Sequence, residues 1–310
     1  MSALFLPRRP LGRTGFLVTP IGLGDLADRR IEISVCADTL RRGLDRGINL
    51  VDTAPSYEEG YSEEIVGRAL AGRRDGVFLI DKIDLLREPV GPQVDGSLRR
   101  LGLEHADAFV FHGVSSIEDW EALAAPGGGF DQLAEEVAKG KARFVGISSH
   151  HPAVLDHALR DGRSDILMFP VGPFVDRRYV EEILPRARAA GVGTVCFKTF
   201  GAGKLLGDTE GYNQPLSDRP RGKLSSGGTS APDAAVLPRL TVEECLHYTL
   251  TLDPDVALLG LSFPNEQDAA FVAFDTFRPL DPSGLAGVEA RARAAIAGKG
   301  RVWWNPAERE

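Results

Sequence analysis

Asp52, Tyr57, Lys82 and His112 are the residues whose types could do chemistry together. Asp52 follows the apolar run Ile48–Val51, and Tyr57 comes five residues after it, across a turn. The runs Phe78-Leu79-Ile80 and Ala108-Phe109-Val110-Phe111 are followed by Asp81-Lys82 and by His112. A carbonyl that accepts hydride must also gain a proton on oxygen. Tyrosine, with a reference pKa near 10, is a poor acid at neutral pH unless its anion is stabilised. A neighbouring lysine cation provides that stabilisation, and a carboxylate beside the lysine keeps it charged and in place. A histidine can bind the carbonyl oxygen. Tyr57 is therefore read as general acid, Lys82 as its tuner, Asp52 as the lysine's partner and His112 as orienter or proton relay. Such acid help contributes about 10²–10⁴-fold. Asp81 and Asp84 read as solvent-facing charge, with Asp81 a possible competitor for the lysine.

These residues act together only if neighbouring strands present them at one end. Strand-like runs recur at Ile48–Val51, Val77–Ile80, Ala108–Phe111, Arg143–Ile147, Asp165–Phe169, Thr194–Phe197 and Ala257–Gly260, after a short first strand at Pro20–Gly24. Helical spacing lies between them, at Ile31–Arg46, Ser62–Leu70, Pro92–Leu101, Asp131–Lys139, Pro152–Arg160, Val180–Ala190 and Thr241–Leu252, with another helix near Asn265–Thr276. Buried strands alternating with helices imply a parallel sheet covered on the outside. Eight such units suggest a closed (β/α)₈ TIM barrel, with an open sheet as the alternative. Barrel catalysis is built at the C-terminal strand ends, where the four residues lie. An N-terminal β-hairpin is expected around Arg13-Thr14-Gly15. The Gly, Pro and Ser-rich stretch Gly201–Pro238 reads as a long loop after strand seven, a lid or a disordered insertion. An amphipathic helix over Leu285–Ile296 precedes Trp303-Trp304, which either cap the substrate pocket or dock the tail. Residues 1–310 read as a single barrel domain; such barrels typically take about 250 residues plus insertions.

Composition excludes several classes. The net charge of −8 argues against nucleic-acid binding. Cys36, Cys196 and Cys245 are odd in number and widely spaced, which suits a reducing cytoplasm rather than a disulfide framework or zinc site. No apolar stretch reaches the ~18 residues of a membrane span, and the first ten residues are too short for a signal peptide. His150 and His151 are adjacent, point apart and lack an acidic cluster, so no metal is expected.

Longer motifs carry a resemblance. Leu11-Gly12-Arg13-Thr14-Gly15, the run from Gly47 to Tyr57, Gly60–Leu70, Ser97–Leu103, Phe111-His112-Gly113 and Gly140–Ser149 occur in order. Together they resemble the aldo-keto reductases, closely from Leu11 to Ser149 and more loosely afterwards. The resemblance implies a (β/α)₈ barrel, nicotinamide-dependent reduction of an aldehyde, ketone or sugar carbonyl, and a small carbonyl or alcohol substrate. It implies a cofactor site as well. Ser148 matches the family's Ser-Asn pair, but Ser149 replaces the Asn, and Met168 stands about where a Gln completes the carboxamide site. Phe197 is placed to stack on nicotinamide. Lys198, Phe200, Gly201, Gly203 and Lys204 match the pyrophosphate turn, with a plain turn as the alternative. Gly24 closes the first strand, and Asp25 stands where Thr is usual. After strand eight, Gly260, Ser262 and Gln267 remain as candidates, but no Arg or Lys is present for a 2′-phosphate, so NADP and NAD both stay open. Two other functions stay open: a non-catalytic nicotinamide-binding regulatory subunit, and a barrel repurposed as a lyase or isomerase.

Overall fold

The computed structural model describes residues 5, 9–24, 28–206, 238–297 and 302–306. Eight parallel strands close into a barrel: β3 (Ile21–Gly24), β4 (Leu50–Asp52), β5 (Phe78–Ile83), β6 (Ala108–Phe111), β7 (Phe144–Ser148), β8 (Ile166–Pro170), β9 (Gly193–Phe197) and β10 (Val256–Gly260). β10 pairs with both β9 and β3, which closes the ring and rules out the open sheet. Side chains alternate as the strand period requires. Leu50, Phe78, Ile80, Val110, Ile166, Met168 and Val195 fill the barrel. Val51, Leu79, Ile83, Phe109 and Phe111 face the helices.

A hairpin of β1 (Arg9–Pro10) and β2 (Leu17–Val18) precedes the barrel, as expected. It stops the N-terminal mouth: Leu11 and Val18 join the inner core, and the Phe16 ring packs 5.2 Å from Phe78. Arg13 binds the backbone carbonyls of Gly162 and Ser164, both at 2.9 Å.

The surrounding helices are α1 (Ile33–Asp45), α2 (Tyr61–Leu70), α3 (Val90–Leu101), α4 (Ile117–Ala124), α5 (Gly129–Ala138), α6 (Pro152–Asp161), α7 (Leu184–Ala189), α8 (Val242–Thr251), α9 (Pro264–Asp275) and the tail helix α10 (Pro282–Ile296). Three details differ from the sequence reading. α4 was not foreseen; Ser116 caps it by accepting the Asp119 amide at 3.0 Å. The helix expected from Val180 begins as a π-helical turn, Tyr179–Ile183, before α7. Pro185 lacks the N–H that would bond to the Glu181 carbonyl, and regular α-helix begins at Leu184 with the proline in its first turn, where it is tolerated. Most important, β5 does not end at Ile80. Its ladder with β6 continues through Asp81, Lys82 and Ile83, so Lys82 is part of the barrel wall.

Residues 201–206 form a short turn, whereas the rest of the lid expected over Gly201–Pro238, residues 207–237, lies outside the described residues, as does Asp25. Among the described residues, no helix is long and apolar enough to cross a membrane, and no three metal-ligating side chains cluster.

The plug has a testable weak point. Gly12 has φ +46°, and a Cβ there would lie 2.2 Å from the Gly193 amide nitrogen and 2.6 Å from the Gly191 carbonyl oxygen. Gly12→Ala forces hairpin and barrel apart and is expected to cost about 1–3 kcal/mol, read as a lower denaturation midpoint at unchanged slope.

Candidate active site

Strand alternation places Asp52 and Lys82 on the inner face of neighbouring strands, above Leu50 and Ile80. Gly24, the last residue of β3, leaves room beside them; a Cβ there would sit 3.5 Å from Asp52 Oδ2 and 3.3 Å from Leu258. The Lys82 ammonium donates to both Asp52 oxygens and to the Thr53 carbonyl, each at 2.7 Å. The site is closed to water, and the Tyr57 hydroxyl is also hydrogen-bonded to the lysine. Burial alone would lower the lysine pKa. The Asp52 carboxylate, and after it Tyr57, more than reverse this and raise it. The folded value thus exceeds the unfolded one near 10.4, so the stabilisation is complete below that pH and is withdrawn only as pH rises above it. Asp81 takes no part: it faces outward, one oxygen accepting the Lys82 amide at 2.8 Å. Burial first, then the nearby Glu63 carboxylate, push its pKa well above the ordinary range.

Tyr57 reaches the site from the turn after β4. Its ring centroid is 4.5 Å from Lys82 Nζ and 5.7 Å from the His112 ring, which stands nearly perpendicular at 83°. Left-handed Glu58, Glu59 and Gly60 set the turn, at φ 50°, 55° and 89°. Non-glycine residues there store strain, which here directs the tyrosine inward.

His112 follows β6 and hydrogen-bonds through Nδ1 to Asp84. The second Asp84 oxygen accepts the Ser56 amide at 2.7 Å. Burial would raise the Asp84 pKa, but His112 and then Ser56 hold it below the usual range. An ionised carboxylate only accepts, so Nδ1 carries the proton and Nε2 is turned to the mouth. Asp84 is thus no solvent-facing charge. It ties the Tyr57 turn to the histidine, and continuing the two-residue period past Lys82 would have found it.

The opposite side of the mouth holds the remaining candidates. Ser148 and Met168 are paired in register on β7 and β8; both are buried, Met168 within the inner core. The Ser149 hydroxyl donates to the Val114 carbonyl at 2.6 Å and accepts the His151 amide at 3.0 Å. Phe197 ends β9, half-buried, with the His150 ring 5.1 Å away. The turn that follows contains four left-handed residues: Lys198, Gly201, Ala202 and Gly203. Its carbonyls accept inward-turned amides, Gly201 to Lys198 at 2.8 Å and Gly203 to Phe200 at 2.9 Å. Thr199 Oγ1 is buried without a hydrogen-bond partner. The Lys198 and Lys204 ammonium groups each lie 5.5 Å from the Trp303 ring. Phe200 packs into the outer core. Trp304 docks the tail, donating to the Phe174 carbonyl at 2.8 Å, while Trp303 stays partly exposed over the lysines.

After β10, Gly260 pairs with Gly24 at the mouth. The Glu266 carboxylate accepts the amides of Ser262 and Phe263 at 2.8 and 3.2 Å. Gln267 ties α9 to α1, donating to the Thr39 carbonyl at 2.8 Å and accepting from Arg42 at 3.1 Å. A cleft of about 570 Å³ on the outer helices, lined by residues such as Arg41, Arg42 and Arg73, is separate from the strand ends.

A model of the aldo/keto reductase family matches residues 20–262. The chain belongs to the aldo/keto reductase family. Similar proteins include aldo-keto reductase YhdN of Bacillus subtilis, 28% identical over 293 residues, covering 83% of this chain and 85% of that one. The NADH-specific methylglyoxal reductase of Escherichia coli is 28% identical over 234 residues, 64% of this chain and 68% of the other. Among solved structures, the holo form of aldo-keto reductase AKR11C1 from Bacillus halodurans superposes with TM-score 0.69 at 25% identity, covering 94% of this chain and 98% of that one. An aldo-keto reductase from Klebsiella pneumoniae in complex with NADPH gives 0.67 at 21% identity, over 92% and 95% of the two chains, a likeness of fold.

As an aldo-keto reductase, this protein is an NAD(P)-dependent oxidoreductase. In the turn after β9 a buried, unpartnered Thr199 hydroxyl adjoins two glycines and two lysines, a donor set whose chemistry fits the phosphates of such a dinucleotide.

Two outcomes test the geometry. Asp52→Asn leaves the buried Lys82 cation without its counter-charge and is expected to destabilise the fold by about 3–5 kcal/mol in chemical denaturation. In His112→Ala the Asp84 carboxyl, still partly buried, titrates at higher pH, followed by its ¹³C chemical shift. In the wild type the pair is complete above the ordinary aspartate value near 3.9 and is lost only as pH falls through the lowered one.

Proposed function

We propose that this aldo-keto reductase reduces a small aldehyde, ketone or sugar carbonyl, with NADH as its preferred cofactor and Tyr57 as the proton donor. The observation that carries the reading is the Lys82 ammonium, locked by three 2.7 Å hydrogen bonds and 4.5 Å from the Tyr57 ring. A buried, permanently charged lysine there favours the tyrosinate left after Tyr57 gives up its proton. When bound, the cofactor supplies hydride. Tyr57 protonates the substrate oxygen, Lys82 stabilises the resulting anion, Asp52 fixes Lys82, and His112 holds the oxygen from the other side.

The preference for NADH rests on charge. A carboxylate, Glu266, occupies the start of α9 and uses the backbone amides there. No lysine or arginine lies between Gly260 and Ala270. Such an end is favourable to the acid, whose charge opposes a 2′-phosphate, while the Arg42 guanidinium from α1 is engaged by the Pro264 carbonyl, Gln267 and Asp268. The relative named as NADH-specific supports the same choice, and its named substrate makes methylglyoxal a sensible probe. Ser148, Phe197 and the Lys198–Lys204 turn are proposed to face the cofactor, with Gly24 and Gly260 providing clearance. Ser149, Met168 and Gln267 contribute packing.

Tryptophan fluorescence titration with NADH and NADPH should show tighter binding of NADH. Tyr57→Phe should lose about 10²–10⁴-fold in methylglyoxal reduction with unchanged NADH affinity. Cofactor binding without turnover on any reactive aldehyde would instead identify a regulatory nicotinamide-binding subunit.

A further inference from the structure

We propose that His150 is the side chain that recognises the carboxamide of the bound nicotinamide; the inference rests on the nicotinamide-dependent reading above. Two positions from which the resemblance led us to expect carboxamide contacts do not provide them here. The Ser149 hydroxyl has one proton, and it is spent on the Val114 carbonyl at 2.6 Å. Its lone pairs also hold the His151 amide at 3.0 Å, so this serine stabilises the turn after β7. Met168 is wholly buried in the barrel core, and a thioether is a weak acceptor with no proton to give.

The next residue along this turn has what those two lack. The His150 ring centroid lies 5.1 Å from that of Phe197, the aromatic proposed to stack on nicotinamide, with the planes tilted by 53°. Its Nε2 is buried and has no hydrogen-bond partner. A buried polar nitrogen without a partner is rare in a folded protein and points to a group that arrives later.

The charge state suits that group. Burial first, then the nearby Lys198 and His112 side chains, lower the His150 pKa to about 3, so the ring stays neutral throughout the working range. A neutral imidazole has one N–H and one lone pair. A carboxamide has a carbonyl oxygen to accept and an amide N–H to donate, so either tautomer makes a hydrogen bond. A neutral ring also avoids repelling the positively charged nicotinamide of the oxidised cofactor, as an imidazolium would.

The test measures binding rather than turnover. NADH and ADP-ribose, which lacks the nicotinamide, are titrated against wild type, His150→Leu and His150→Gln, with each variant's fold checked by circular dichroism. Leucine keeps bulk without polarity, and glutamine restores both donor and acceptor. The expected result is a roughly 10-fold loss of NADH affinity in His150→Leu, the worth of one hydrogen bond, with ADP-ribose affinity unchanged and NADH affinity largely restored in His150→Gln. Equal NADH affinity in wild type and His150→Leu overturns the assignment of His150 alone. An equal loss for NADH and ADP-ribose also overturns it, because the residue then acts on the loop. A wild-type protein that binds neither probe removes the nicotinamide reading itself, and this inference with it.

Discussion

The buried ion pair between Lys82 and Asp52 is the constraint on which the catalytic side of this molecule depends. Two ions are expensive to remove from water, and their attraction offsets that cost only when every remaining hydrogen-bonding position is filled. Here both Asp52 oxygens and the Thr53 carbonyl take the lysine's protons at 2.7 Å. A pair of this kind adds little net stability compared with apolar packing. Its value is a charge at a fixed place and in a fixed state, and burial makes that charge felt by Tyr57 far more than it would be in water.

The rest of the barrel makes the pair possible. Lys82 lies inside the wall because the ladder of β5 with β6 continues through it and turns its side chain to the barrel interior. The hairpin seals the opposite mouth with Leu11, Phe16 and Val18, leaving the C-terminal strand ends as the open face. Asp84 then braces two separate elements at that face, the turn that carries Tyr57 and the histidine after β6. The same carboxylate sets the histidine's tautomer, so the support is also electronic.

The two halves of the mouth are built differently. One half brings Asp52, Tyr57, Lys82 and His112 together through hydrogen bonds and ring contacts. On the other half, Ser149 braces a turn, Met168 lies in the core, and the Glu266 carboxylate holds an amide at the start of α9. His150 stands between the halves, its ring centroid 5.1 Å from that of Phe197.

Much of this was legible in the chain. Alternating apolar runs and helical spacing specify a parallel barrel, and an acid, a lysine and a histidine near three strand ends marked side chains that the fold brings to one mouth, because local periodicity and residue type are properties of the sequence itself. The helix at Ile117–Ala124 was missed because its pattern is short and its signal is one capping serine. The end of β5 was misplaced because Asp81-Lys82 reads as a solvated break, whereas pairing with β6 continues through both. Tertiary structure alone decided which charged residues are buried and with whom. Asp81 turns outward beside Glu63, Asp84 turns in to His112, and Gln267 is consumed between two helices. The physical reason is that a polar side chain's role depends on which partners and how much water surround it, and contacts between residues distant in sequence set both.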